Sequence, residues 1–228
     1  LHAVYTLLEK LGYRFEITGP VAPEKIDFNT FEDFSETINP AIAKRGIRFH
    51  MNFPQDLSSF PLDEAKEYIK NTARMRMNHH TFHSYPGRLH NGVYGDKMWW
   101  AGRTYEELME LPENDPLFSK NIRNKRFYRI PELEGYDDKP EQRAKLMKQW
   151  TRKVFDQIKT CGIYLQVSYE PRLESEEHVL DMFKDIYTSY PMIDAIELMT
   201  EENGGGAPED PEEMRKALKE CFDAEELM

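Results

Sequence analysis

Gly46-Ile47-Arg48-Phe49-His50-Met51-Asn52-Phe53 marks a change of rhythm in the chain, and its reading decides the fold. The stretch reads as a β-strand. Pro61, with Asp63 and Glu64 behind it, then opens a helix, because proline and acidic residues suit a first helical turn. Leu62, Ala65, Ile69, Ala73 and Met77 share one face of that helix. His79-His80-Thr81-Phe82-His83-Ser84-Tyr85 is a second strand. A long excursion from Pro86 to about Lys139 follows, rich in Gly, Arg and aromatics and containing Trp99-Trp100. A long helix carries Leu146, Trp150, Val154 and Ile158 at i+4 spacing. Gly162 to Tyr169 is a third strand, and Ser175 caps a helix that turns Val179, Phe183 and Ile186 inward. Ile193 to Met199 is a fourth strand, followed by the loop Gly204-Gly205-Gly206 and a helix start at Asp210-Pro211-Glu212-Glu213, leading to Met214, Leu218 and Cys221.

Strands alternating with helices in this way mean parallel strands joined by crossover helices. Four such units do not close an eight-stranded barrel. They are either half of a (β/α)8 barrel or an independent doubly wound sheet. No nucleotide-binding glycine fingerprint follows any strand, since Gly204 to Gly206 lack the GxGxxG spacing.

Upstream, Val4, Leu7, Leu8 and Leu11 fall at the helical period over residues 2 to 11, and Gly12 stops that helix. Tyr13-Arg14-Phe15-Glu16-Ile17 alternates as a short strand. Residues 18 to 45 hold several prolines and few periodic apolar residues, and read as a linker. The chain opens inside an amphipathic pattern, without an initiator Met, so its first residue is read as a cut boundary. Four units would leave strand edges unpaired. Residues 1 to 228 alone are therefore expected to be inactive, with the rest of the same polypeptide completing the barrel.

The formal net charge is −11, and no basic stripe occurs. That argues against nucleic acid or anionic lipid as partner, because phosphate binding needs clustered Lys and Arg. An acidic surface tolerates neutral ligands such as sugars. Cys161 and Cys221, far apart, build neither a disulfide framework nor a CxxC metal site and read as small buried residues. No apolar run approaches the roughly 20 residues of a membrane span, and no signal peptide is visible.

In an α/β barrel, chemistry sits at the C-terminal strand ends and in the loops after them. Here those ends carry His50, Asn52 and Gln55; His83, Ser84 and Tyr85; Gln166, Ser168, Tyr169, Glu170 and Arg172; and Glu197, Thr200, Glu201, Glu202 and Asn203. Glu201-Glu202 could supply a carboxylic acid that protonates a glycosidic oxygen, a reaction that normally uses two carboxyls across the bond. An acidic solvated loop is the plainer reading. Trp99 and Trp100 could stack on a sugar ring or form the core of their own loop. Arg88 and Arg103 flank them, and an Arg fork could clamp a uronic carboxylate or make ordinary surface ion pairs. His79 and His83 share one face of their strand and His80 the other. Two of these could join a distant carboxylate on zinc, although no HExxH or HxH spacing occurs. His83 as a substrate contact is the stronger reading, with His79 and His80 as packing residues.

His2-Ala3-Val4-Tyr5-Thr6-Leu7-Leu8-Glu9-Lys10-Leu11-Gly12-Tyr13-Arg14-Phe15 resembles the end of the N-terminal domain of α-glucuronidases of glycoside hydrolase family 67 and their relatives. The same domain type precedes the barrel of family 20 hexosaminidases. Arg45-Gly46-Ile47-Arg48 resembles the lead-in to the first barrel strand, and Met75 to Tyr85 the second barrel unit, in uncharacterised relatives. The resemblance implies residues 1–45 as the end of a small α/β domain and 46–228 as the first half of a TIM barrel. It implies a periplasmic or secreted glycoside hydrolase acting on a plant, algal or host polysaccharide or oligosaccharide, uronic-acid-containing chains included. In family 67 the general acid is a Glu after the fourth strand, a place matched by Glu202 or its neighbour Glu201, with Asn203 standing before the glycine. The Asp-Glu pair and His-x-Gly-Gly approach of hexosaminidases are absent. The general base would lie beyond Met228. His83, Tyr85, Trp99, Trp100, Arg103, Gln166 and Tyr169 would shape the sugar site. No cofactor or metal is expected. The rivals are a metal-dependent hydrolase built on His79 and His83, and a non-catalytic carbohydrate-binding protein.

Overall fold

A computed structural model describes residues 2–26, 28, 35–51, 56–84, 131–133, 135–136, 139–169, 176–199, 211–213, 215–216 and 219. Helix α1 (His2–Lys10) is followed by the antiparallel strands β1 (Arg14–Glu16) and β2 (Gly19–Val21). The stretch from residue 18, read as linker, thus begins by closing a hairpin, with Glu16 opposite Gly19. Its two-residue turn, Ile17-Thr18, lacks the Asn-Gly or Asp-Gly signal of tight hairpins, which is why the sequence pattern hid it.

The second sheet holds β3 (Gly46–His50), β4 (His79–Ser84), β5 (Tyr164–Tyr169) and β6 (Ala195–Leu198), all parallel and in chain order. Between them run α2 (Leu62–Arg74), α3 (Pro140–Thr160) and α4 (Glu176–Ser189). The alternation expected from sequence is therefore an α/β fold with a four-stranded parallel sheet.

Side chains alternate across a strand, so register sorts the sheet into two faces. Ile47, Phe49, Phe82, Leu165, Val167 and Ile196 lie on one. That face meets Ala65, Ile69 and Ala73 of α2, Met147, Trp150, Val154, Phe155 and Ile158 of α3, and Phe183 and Ile186 of α4, in one hydrophobic core. Phe49, Phe82, Phe155 and Tyr190 run through it as a chain of rings 4.7 to 5.1 Å apart. Removing one such ring, as in Phe82→Ala, costs about 3–5 kcal/mol. The helical spacings of the sequence thus land their apolar stripes where the core is.

Helices α1 and α3 end on glycine: Gly12 and Gly162 have φ +92° and +72°, and the amide of the next residue reaches back to the last turn. Helix α2 makes the same closure with Arg76 at φ +62°, where the Met77 amide donates to Thr72 O at 3.0 Å. The strained residue is held from two sides. Its carbonyl accepts Arg45 Nε at 3.2 Å, and its guanidinium pairs with Glu9 of α1. Asn78 locks the lead-in to β3, accepting the Arg45 amide and donating to Ala43 O, each at 2.9 Å. At Gly46 a Cβ would fall 1.3 Å from His79 O, so only glycine fits where β3 starts beside β4.

Among the described residues no helix is long and apolar enough to cross a membrane. Cys161, at the end of α3, is partly buried against the core and forms no disulfide.

Candidate functional site

The other face of the parallel sheet is polar. Arg48 and His50 of β3, His79, Thr81 and His83 of β4, Tyr164, Gln166 and Ser168 of β5, and Glu197 of β6 share it by register. Toward the C-terminal strand ends these side chains bond to one another. Arg48 donates from Nη1 to Glu197 Oε2 at 2.8 Å and from Nη2 to Ser168 Oγ at 2.7 Å. Ser168 Oγ lies 3.0 Å from His83 Nδ1. Ser168 and Gln166 also hydrogen-bond the Glu197 carboxylate. His50 sits edge-on to His83, ring centroids 5.2 Å apart.

Ser168 has one hydroxyl proton and is buried at the centre of this network. The arrangement that satisfies every neighbour has Ser168 donate to the Glu197 anion and accept from Arg48 and from His83 Nδ1–H. Burial first, then the charges of Arg48 and His50, push His83 down to about 4 against the pull of Glu197. The imidazole is therefore neutral and carries its proton on Nδ1. For Glu197, burial acts upward, but the bonds from Ser168 and Arg48, the Arg48 charge and Gln166 together hold the carboxyl below its ordinary value. It is an ionised carboxylate, the opposite of what a general acid needs.

Asp56, just beyond β3, is a third titratable group at this end. Its Oδ2 accepts the His50 amide at 2.7 Å, and the Leu57 and Ser58 amides also bond to it. Burial outweighs these bonds and raises the carboxyl to about 6.

His80 points the other way, into the core. Its Nδ1 accepts the Ile47 amide at 3.2 Å, so the proton sits on Nε2, 2.8 Å from Thr72 Oγ1. Burial, followed by the charge of His79, pushes it down to about 4. His80 is a packing histidine, as its strand alternation implied. His79 stacks flat on Tyr164, ring centroids 5.0 Å apart. It and His83 stand four residues apart on one strand, with about 13 Å between their Cα atoms, and each ring has its own partner, Tyr164 for His79 and Ser168 for His83. That spacing and those separate partners do not bring the two rings to one ion. Among the described residues no group of three His, Cys, Asp or Glu could hold a metal ion.

Of the residues singled out from sequence, the structure brings His83 and Gln166 together on the polar face. Tyr169 ends β5, in register with Ser84 and Leu198. Tyr85, Trp99, Trp100, Arg103, Glu201 and Glu202 lie outside the described residues. Arg48 and Asp56 were not singled out. Strand alternation marks Arg48, which shares its face with His50 between apolar neighbours. Asp56 carries no such signal, because its role depends on backbone amides.

No protein-family model, curated protein or solved structure matches the chain.

Proposed function

We propose that the chain is the first half of a (β/α)8 glycoside hydrolase barrel, and that the polar face around Arg48 and Glu197 is the floor of its sugar site. The ion pair between Arg48 and Glu197 carries this reading. The two residues stand on the first and fourth strands of the sheet. Flat strands that far apart are separated by about 14 Å. Rolling the sheet toward its polar face draws such residues together and puts polar groups inside, at the C-terminal strand ends. The strand order supports the same view. Strands in simple chain order with right-handed crossovers put every helix on one side, whereas a doubly wound sheet reverses direction and covers both faces. Hydroxyl, amide, imidazole and paired charges on one floor suit a ligand made of hydroxyl groups.

In this reading Glu202, or Glu201, protonates the departing glycosidic oxygen, as the family 67 resemblance implies. Glu197, held ionised, supplies a fixed negative charge near the developing oxocarbenium ion. Tyr85, Trp99, Trp100, Arg103 and Tyr169 belong to the same proposed sugar site. The substrate is a plant, algal or host oligo- or polysaccharide, and the protein works in the periplasm or outside the cell. The test is reducing-sugar release by the complete natural protein from a panel of oligosaccharides and aryl glycosides. Turnover abolished by Glu202→Gln or Glu201→Gln supports the reading. No release from any member of the panel contradicts it.

A further inference from the structure

His50, His83, Ser168 and Glu197 stand in one row across β3 to β6, at the C-terminal strand ends. The two imidazoles of that row differ in access. His83 is fully buried, and its Nδ1 is held by Ser168 at 3.0 Å. His50 is only partly buried, and its ring lies edge-on to His83 at 5.2 Å. It shares its side of the sheet with Arg48, two residues earlier on β3, and with Glu197, both partly exposed. A ligand resting on this floor therefore meets His50, with His83 behind it. We propose that His50 is the imidazole that contacts a sugar hydroxyl in this site, that His83 backs it without touching the ligand, and that Asp56 is the positioning residue that holds it. This rests on reading the polar face as a sugar site.

Backbone and ring are fixed separately. The Met51 amide turns toward β4 and donates to His83 O at 2.8 Å. Successive amides of a strand face opposite edges, so the His50 amide faces the outer edge of β3, the first strand of the sheet. A backbone N–H on such an edge needs a partner. Asp56 supplies it, with Oδ2 2.7 Å from the His50 nitrogen, and the Leu57 and Ser58 amides draw on the same carboxyl. Those two residues are buried, Leu57 in the core itself, so the carboxyl is anchored from behind. On the β4 side the His50 ring is stopped by His83. An imidazole donates from one nitrogen and, when neutral, accepts at the other, which matches a hydroxyl that does both. The contact needs a hydroxyl and no charge on the sugar, so neutral and uronic units both satisfy it.

Diethyl pyrocarbonate, which acylates accessible uncharged imidazoles, reads the contact without any need for turnover. In the complete natural protein near neutral pH, peptide mapping should find His50 carbethoxylated and His83 spared. His83 is neutral there, so burial is what shields it. At least one of methyl glucoside and methyl glucuronoside, in saturating excess, should slow the His50 reaction about tenfold or more. With 4-nitrophenyl glucoside and glucuronide in both anomeric forms as substrates, His50→Ala should raise KM about tenfold or more, and His50→Gln, which keeps a donor and an acceptor, should recover part of it. Asp56→Ala should raise KM as well, and Asp56→Asn, which keeps an oxygen for the His50 amide, should restore most of it. Combined with His50→Ala, Asp56→Ala should add nothing, whereas a merely structural loss would add. If circular dichroism shows Asp56→Ala unfolded, Asp56→Glu, which displaces the carboxylate, replaces it. His83 modified with His50 spared, or a His50 reaction that neither sugar slows, overturns the proposal, and additive KM changes remove Asp56 from it. Turnover with KM unmoved in His50→Ala overturns it and leaves the hydrolase reading standing. Sugar protection of His50 without turnover does the reverse, and absence of both protection and turnover ends both.

Discussion

Ser168 Oγ stands 2.7 Å from Arg48 Nη2, and this one buried hydroxyl on β5 reaches side chains on the other three strands of the sheet. The same oxygen meets His83 and bonds Glu197. Removing it should be felt in electrostatics before it is felt in shape. Ser168→Ala takes a donor from Glu197 and an acceptor from both Arg48 and His83. The Glu197 carboxyl should then titrate higher than in the unaltered protein, and stability should fall by about 1–3 kcal/mol for the groups left unsatisfied. Carbon-detected NMR titration and urea unfolding measure the two effects. Ser168→Thr should restore most of the first. An unmoved Glu197 titration in Ser168→Ala would show that the hydroxyl does not set its charge.

Acid should loosen the protein through its histidines. An unfolded imidazole takes a proton near 6.5, whereas His80 and His83 resist one until about 4. Between those values the unfolded chain binds more protons, so the stabilising contribution is complete above 6.5 and is lost as pH falls toward 4. For His80, fully buried in the core, the loss is about 3 kcal/mol. Asp56 acts in the opposite direction. Its folded carboxyl keeps a proton up to about 6 and its unfolded one only to 3.8, so it favours the folded state as pH falls through that window. Unfolding free energy measured from pH 7 to pH 4 should fall more steeply in Asp56→Asn than in the unaltered protein. A His80→Gln variant should show a flatter curve. A stability independent of pH across this range in all three proteins contradicts the assignment.

Arg76 offers a test of backbone strain. It occupies, at φ +62°, the helix-ending position that Gly12 and Gly162 fill elsewhere. Arg76→Ala and Arg76→Gly both remove the ion pair with Glu9, but only glycine relieves the left-handed conformation, worth roughly 1–2 kcal/mol. The Gly variant should therefore be about 1 kcal/mol or more stable than the Ala variant in urea unfolding. Equal stabilities would mean that the position carries no strain.

Most of the fold was legible because helix and strand periods differ. Ala65, Ile69 and Ala73, or Trp150, Val154 and Ile158, recur every turn and all reach the core. The alternation in Ile47-Arg48-Phe49-His50 likewise splits apolar from polar residues between the two faces. What escaped was set by partners distant in sequence or by backbone. β2 has no turn signal, and its Pro20 reads as linker, yet it pairs with Phe15. Arg48 looks like an ordinary strand residue until the fold brings Glu197 to it from 149 positions away. Asp56 matters because three amides converge on it, which no side-chain pattern records. Of the sugar-site residues, His83 and Gln166 fall on the polar face that the alternation marked.

The proposed hydrolase activity requires a general acid, assigned under that proposal to Glu202 or Glu201. A general acid matters most when the leaving group is poor. Glu202→Gln in the complete natural protein should slow natural oligosaccharides strongly and an activated aryl glycoside much less. Glu201→Gln should then have a small effect; the reverse pattern would move the role to Glu201. The deciding measurement is therefore kcat for both variants on both kinds of substrate. A loss well beyond tenfold is expected on the natural substrate for one variant alone, largely absent on the aryl glycoside. If neither variant loses more than about tenfold, roughly 1.4 kcal/mol of barrier, these residues are not the acid and the account fails.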